Sequence, residues 1–128
     1  FGSSSSQTAF AAVKHDGSVV TWGAKRGGGD SASVQEQLTG VREIFSNDTA
    51  FAALKDDGHL IVWGYRTFGG DCSAVRGQLG AVRTVFSNSG AFAALKDDAS
   101  VVTWGAKGRG GDSAMQREML VGVATVVS

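Results

Sequence analysis

Apolar residues along this chain come in short runs broken by polar tips, and the same phrase of runs returns at intervals. Its fullest form is Ala50–Gly64, AFAALKDDGHLIVWG, in which Phe51–Leu54 lead to Asp56-Asp57-Gly58 and Leu60–Trp63 follow. Two β-prone runs around Asp-Gly predict a β-hairpin with a tight primed turn, because Gly takes positive φ without a Cβ clash. Ala9–Gly23 (AFAAVKHDGSVVTWG) and Ala91–Gly105 (AFAALKDDASVVTWG) predict two more. The third carries Asp98-Ala99 at the tip, so either Ala is strained there or the turn is of another type.

Between hairpins the pattern changes. Gly-rich loops (Ala24–Gly29, Tyr65–Gly70, Ala106–Gly111) lead to Ser31–Leu38, Cys72–Leu79 and Ser113–Leu120, each predicted as a short helix. Asp30 or Ser33 is placed to cap the first, and Ser33 with Glu36 has capping-box spacing. Two turns do not stand alone, so Val34 and Leu38 are expected to pack on the sheet. Val41–Ser46, Val82–Ser87 and Val123–Val127 then read as strands.

Phe10, Phe51 and Phe92 lie 41 residues apart, and Lys14/Lys55/Lys96, Trp22/Trp63/Trp104 and Asp30/Asp71/Asp112 keep the same phase. A fixed period of this size marks a repeat architecture. Three strands per unit with regular turns predict an all-β fold of three tandem repeats (strand, hairpin, loop, short helix), propeller-like or closed as a three-fold array. Residues 1–8, FGSSSSQT, read as a flexible Ser-rich lead-in, and 9–128 as one repeat domain with units 9–49, 50–90 and 91–128. The last strand has the phase that precedes a hairpin, and a circular array would pair it with the first hairpin. The alternative is that both ends are crop points in a longer solenoid. The chain opens on Phe1 without an initiator Met or a signal pattern, so it reads as processed or excerpted.

Within this scheme Phe10, Trp22, Phe51, Trp63, Phe92 and Trp104 are the expected repeat core, since a Trp closing a repeated hairpin buries a large apolar face between neighbours. Asp30, Asp71 and Asp112 are expected to cap the loops and helices, where a carboxylate meets orphan amide hydrogens.

Charge narrows the function. Twelve basic and twelve acidic side chains give zero net charge, which offers no field for nucleic acid or an anionic membrane. No apolar run reaches the ~20 residues of a spanning helix. GRGG at Gly108–Gly111 is one tract without a basic surround, and the loops lack the Lys-Ser/Thr pair of a phosphate-binding loop. Cys72 takes the place of Ser31 and Ser113 and reads as a near-isosteric swap. His15 and His59 lack neighbouring ligands, so no metal or cofactor is expected. Polar signals repeat three times, whereas catalysis needs one asymmetric cluster, so no catalytic residue is assigned.

The run VREIFSNDTAFAALKDDGHLIVWG, with Ala53-Leu54 and Asp57–Gly64, resembles the RCC1-like β-propeller repeat. After Trp-Gly it departs from the family, with GGDS (Gly29–Ser31, Gly111–Ser113) or GGDC in place of the usual N-x-x-G-Q-L-G. Members of the family close rings of about seven blades, more than three copies make. The resemblance implies a scaffold for protein–protein contact through loops on one face, and no activity is carried over. A weaker resemblance links Lys55-x-Asp57-x-His59-x-Ile61-x-Trp63 to the mannose site of three-fold β-prism lectins, matching in type only at Asp57 and the apolar Ile61.

The function expected is therefore non-catalytic: a protein-interaction module that binds one partner or a large complex through the loops after each Trp-Gly. Lys25, Arg26, Lys107 and Arg109 give these loops basic character, and copy two alone adds Tyr65 and Phe68 beside Arg66. Those aromatics are not required by the repeat, which makes them the leading contact candidates. The alternative is a small accessory subunit of a large assembly, for instance a membrane or photosynthetic complex. A lectin-like module is the third reading.

Overall fold

A computed structural model describes residues 2–5, 9–73, 75–109 and 111. Among these, nine strands form three antiparallel sheets of three: β1 (Gly2–Ser5), β2 (Ala9–Val13), β3 (Val19–Gly23); β4 (Val41–Ser46), β5 (Ala50–Lys55), β6 (Leu60–Gly64); β7 (Val82–Ser87), β8 (Ala91–Lys96), β9 (Val101–Gly105). Each sheet is ordered first strand, then hairpin, with the Phe directly opposite the Trp: Phe10↔Trp22, Phe51↔Trp63, Phe92↔Trp104. The strand before each hairpin therefore belongs to the sheet that follows it, which is the all-β propeller-type arrangement read from the repeat.

The Ser-rich lead-in needs correction. Gly2–Ser5 is β1, paired from Gly2↔Val13 to Ser5↔Phe10. Ser46↔Phe51 and Ser87↔Phe92 have the same register. Ladder hydrogen bonds use only backbone, so a run of serines in the right phase can take the place of VREIFS. That edge is the one a closing last strand would have taken. Val123–Val127, Ser113–Leu120 and Asp112 lie outside the described residues.

The sheets stack face to face, and β5 in the middle is buried on both sides. Phe51 and Ala53 join Ala9, Ala11, Val13, Val19, Leu38 and Val41 in one core. Ala50, Ala52 and Leu54 join Val82, Val85, Phe92, Ala94 and Val102 in the other. The two-residue period of a strand sends alternate side chains to opposite sheets, and alanines on both faces let three sheets approach closely.

Two sequence expectations change in kind. The predicted helices are single 3₁₀ turns, Gln35–Gln37 and Arg76–Gln78, with Val34 and Val75 at their N-caps and no side-chain cap there. Ser33 and Glu36 thus form no capping box. The segments run on i→i+3 bonds such as Gln37 N–H to the Val34 carbonyl (2.8 Å), which suits a stretch too short to propagate an α-helix. Leu38 and Leu79, which follow the turns, are the residues driven into the core.

The hairpin tips are also not primed turns. Gly17 N–H bonds the Lys14 carbonyl (2.9 Å), and Lys14 N–H bonds the Ser18 carbonyl (2.8 Å), with Gly17 at φ +83°. His15 and Asp16 do not have positive φ, so Gly sits one place after an ordinary turn, as the bulge residue. The Asp16 carboxylate accepts from Ser18 N–H at 3.0 Å, and Asp57 and Asp98 repeat this with His59 and Ser100. Copy three keeps the whole pattern although Ala99 sits at φ +67°. Ala there carries left-handed strain, so Ala99→Gly is expected to raise stability by roughly 1 kcal/mol. A fall in the urea midpoint of that variant would show that the Ala99 methyl contributes more than its backbone costs.

The first two tips also fasten the next sheet. Val41 N–H donates to the Gly17 carbonyl (3.0 Å) and Asp56 N–H to that of Gly40 (2.8 Å); Val82–Gly58 (2.9 Å) and Asp97–Ala81 (2.8 Å) repeat the pair. Ser87 Oγ donates to the Ser46 carbonyl at 2.8 Å, linking β4 and β7.

Candidate functional site

The loops after Trp-Gly have an inner and an outer side. Their backbone is a single 3₁₀ turn (Lys25–Gly27, Arg66–Phe68, Lys107–Arg109) closed by Gly29 N–H to the Ala24 carbonyl (2.8 Å), with Gly70–Tyr65 and Gly111–Ala106 alike (2.9 Å each).

On the inner side the loop of one repeat covers the aromatic pair of the next. Phe51 and Trp63 stack at 5.3 Å between centroids, and Trp63 Nε1–H donates to the Gly28 carbonyl at 3.0 Å. Gly28 has φ +105°, and a Cβ placed on it would fall 2.4 Å from the Phe51 ring. Gly69 does the same for the next pair: Trp104 Nε1–H donates to its carbonyl at 3.1 Å, and a Cβ there would lie 2.6 Å from the Phe92 ring. Phe51, Trp63, Phe92 and Trp104 are buried as a result.

Phe10 and Trp22 are different. They stack with the same geometry (5.5 Å), yet 49% of Phe10 and 48% of Trp22 is exposed. Both were expected in the core, and the correction has a simple cause. What buries each of the other two pairs is the loop of the repeat before it, and among the described residues no such loop covers Phe10 and Trp22.

The outer side carries the charged and aromatic groups. Lys25 and Lys107 are exposed, and the Arg66 side chain is 81% exposed while its Nη2 donates to Asp71 Oδ2 at 3.2 Å. Tyr65 is exposed and meets the half-buried Phe68 edge-on, at 5.3 Å and 89°. The side chains of Arg26 and Arg109 lie outside the described residues. The structure thus groups Tyr65, Arg66 and Phe68 on one loop, with Lys25 and Lys107 on the neighbouring ones.

The aspartates cap turns and not helices. Asp30 Oδ1 accepts from Ala32 N–H and Asp71 Oδ1 from Ser73 N–H, both at 2.9 Å. Hydrogen bonds from Ser73 first, then the Arg66 guanidinium, hold the Asp71 carboxyl below the usual aspartate range.

A groove of about 1020 Å³ runs between the first two loop segments. Lys25, Asp30, Glu36, His59, Arg66 and Arg76 line it, together with part of β6. Its charges are of both signs, and they include the exposed His59–Asp57 pair, with Nδ1 and Oδ1 3.1 Å apart. Among the described residues no three His, Cys, Asp or Glu side chains gather to hold a metal ion. In the lectin-like series Trp63 is buried under Gly28, and the Asp57 carboxylate accepts from His59 N–H.

Cys72 is buried, and burial pushes its thiol up from the ordinary range, which keeps it protonated. Its presence has a packing reason. In copy one Ser31 Oγ bonds Thr21 Oγ1 (2.9 Å) and Gln35 Oε1 (2.8 Å). In copy two the equivalents are Cys72, Val62 and Arg76, and Cys72 and Val62 pack in one core. Once Thr becomes Val, a hydroxyl at this place loses its Thr partner, and a thiol fits the apolar wall.

Structural residues of two kinds escaped the sequence reading. Buried Asn47 accepts from Thr49 N–H (3.0 Å) and Ala50 N–H (2.8 Å) and donates to the Phe68 carbonyl, tying strand entry to loop. Its signal was present in Asn88, one period on. The lock glycines were visible too, since Gly28, Gly69 and Gly110 are in phase.

In sequence, no family model and no curated protein matches this chain significantly. Solved structures do. Human WBSCR16 superposes with a TM-score of 0.57 at 22% identity, covering 80% of this chain and 33% of that one. Prp20p from Saccharomyces cerevisiae gives 0.55 at 17% identity, with 80% and 30% covered. Yeast RCC1 (Prp20) in its complex with Kap60 gives 0.55 at 19%, with 78% and 28% covered. The chain shares the RCC1-like propeller-type repeat fold and spans about a third of the length of these proteins.

Proposed function

We propose that this chain is a non-catalytic protein-interaction module whose contact surface is the outer side of the loops after Trp-Gly, centred on Tyr65, Arg66 and Phe68 and flanked by Lys25, Arg26, Lys107 and Arg109. The observation that carries the reading is the division of labour within the loop. The lock onto the next sheet uses glycine and backbone, so nothing in it calls for Tyr65 or Phe68, and Tyr65 remains exposed. An exposed Tyr braced by a second ring, next to an Arg oriented by Asp71, presents rigid contact area at small entropic cost. The similar fold of Prp20p supports the class of function, since that protein is described as binding Gsp1p and histones and is seen bound to Kap60. The partner of this chain is a protein surface with acidic groups for Arg66 and the lysines to meet.

The test starts with affinity capture from the native source and mass spectrometry, followed by titration of the captured partner. Tyr65→Ala and Arg66→Ala are each expected to weaken binding by ~1–2 kcal/mol, or more, with the melting temperature nearly unchanged. Unchanged affinity in both variants would remove the Tyr65–Gly70 loop from the interface.

A further inference from the structure

The groove between the first two loop segments has walls of opposite sign. One wall follows the first Trp-Gly loop, where Asp30 and Glu36 are exposed and no Lys or Arg occurs from 30 to 37. The other wall is the matching segment of the second repeat, which carries Arg76 at the place of Gln35. Arg66 and Asp71 on that side offset each other at 3.2 Å, so Arg76 sets its sign. Among the described residues neither Glu36 nor Arg76 is in an ion pair. Gln35 Nε2–H donates to the Val19 carbonyl at 3.1 Å, tying the first segment to its own strand. Arg76 makes no such bond to Leu60 and is exposed, so the second repeat presents a guanidinium to the groove.

The floor is the outer edge of β6, the last strand of its sheet. Lys55 N–H bonds the His59 carbonyl and Tyr65 N–H the Thr49 carbonyl, both at 2.9 Å, so Ile61 and Trp63 face β5. Leu60, Val62 and Gly64 therefore turn their backbone groups outward. The Leu79 carbonyl takes Leu60 N–H (3.4 Å), and Gly70 N–H closes on the Tyr65 carbonyl at the other end (2.9 Å). Between these two pins, Val62 N–H and C=O have no hydrogen bond among the described residues. A peptide group so placed calls for water or another chain.

The geometry points to an extended peptide of a partner protein, seated along β6, with charges that alternate from residue to residue. Successive side chains of an extended chain point to opposite sides, so its acids meet Arg76 while the bases between them meet Asp30 and Glu36. Its backbone pairs with Val62, as when a strand is added to a sheet edge. A nucleic acid, with one sign of charge throughout, is opposed by the Asp30–Glu36 wall. The inference rests on the loop reading for the protein nature of the partner, since Lys25 and Arg66 border loop and groove alike.

The probe is a capped octapeptide of alternating Lys and Glu, titrated into isotope-labelled protein at low salt and followed by NMR. It is expected to shift the amides of Val62, Arg76 and residues 30–37, and to slow hydrogen exchange at Val62. A peptide of the same composition in two blocks, Lys then Glu, puts both signs on each side and is expected to bind about tenfold more weakly. Glu36→Lys and Arg76→Glu, at exposed positions, are each expected to weaken the alternating peptide about tenfold with unchanged circular dichroism. The double variant is expected to recover part of that loss, because a one-residue slip exchanges the two sides of the peptide. Equal affinity for both peptides overturns the inference. So do fully additive losses in the double variant, or shifts that bypass Val62. Neither Glu36 nor Arg76 belongs to the loop surface, so a peptide that does not bind overturns the groove alone. Unchanged partner affinity in Tyr65→Ala and Arg66→Ala is the separate failure of the loop.

Discussion

Trp63→Ala is expected to lower the unfolding free energy by ~3–5 kcal/mol, whereas Trp22→Ala in the same repeat position is expected to cost less than about 1 kcal/mol. The two residues share a sequence context, a strand register and a stacked Phe. They differ in what lies on top. Trp63 is 3% exposed, fills the core between the first two sheets, and holds the Gly28 carbonyl through its indole N–H. Truncation there leaves a cavity, an unpaired buried carbonyl and an uncovered Phe51 ring together. At Trp22 half of the side chain already faces solvent, so little is lost. Urea unfolding of both variants decides the matter, and equal losses at the two sites would show that the inter-repeat lock is not what buries these residues.

The second large effect is expected at Gly28, where a single methyl should cost about 2–4 kcal/mol: left-handed strain plus a clash that the Phe51 ring has little room to escape. With its Cβ 2.4 Å from that ring, Gly28→Ala forces the loop off the second sheet or the ring out of its stack. Gly40→Ala is the internal control. Gly40 has φ +62° with open space around its would-be Cβ, and its counterpart one repeat later is already Ala81 at φ +54°. That variant should lose only about 1 kcal/mol, from backbone strain alone. Similar losses for the two would mean that φ, and not contact with Phe51, governs the loop.

Most of the fold was legible because it is local and repeated. Apolar runs around Lys-x-Asp-Gly, or Lys-x-Asp-Ala in the third copy, place the outer ends of the hairpins β2–β3, β5–β6 and β8–β9 to the residue, and the 41-residue phase makes the three units equivalent. Two local features were misread for one reason. The tips and the post-loop turns are governed by which backbone group bonds which, and Asp-Gly or a two-turn amphipathic pattern is compatible with more than one bonding scheme. Gly2–Ser5 was misread differently, since a strand built on backbone ladders leaves no apolar signature when its side chains are serines.

The candidate surface was legible only by contrast. Tyr65 and Phe68 stand out because the other copies carry Ala at the first position (Ala24, Ala106) and Gly27 or Arg109 at the other. That comparison names residues without saying which side of the loop they occupy. Composition, period and phase determined by themselves that this is a three-unit all-β repeat with a Phe–Trp pair in each unit. Only the tertiary structure decided which pairs are core, because burial of Phe51 and Phe92 comes from glycines one repeat upstream, at Gly28 and Gly69. A residue's environment in a stacked array is set by its neighbour, so identical sequences at Trp22 and Trp104 (VVTWG in both) end in opposite environments, one half exposed and one buried.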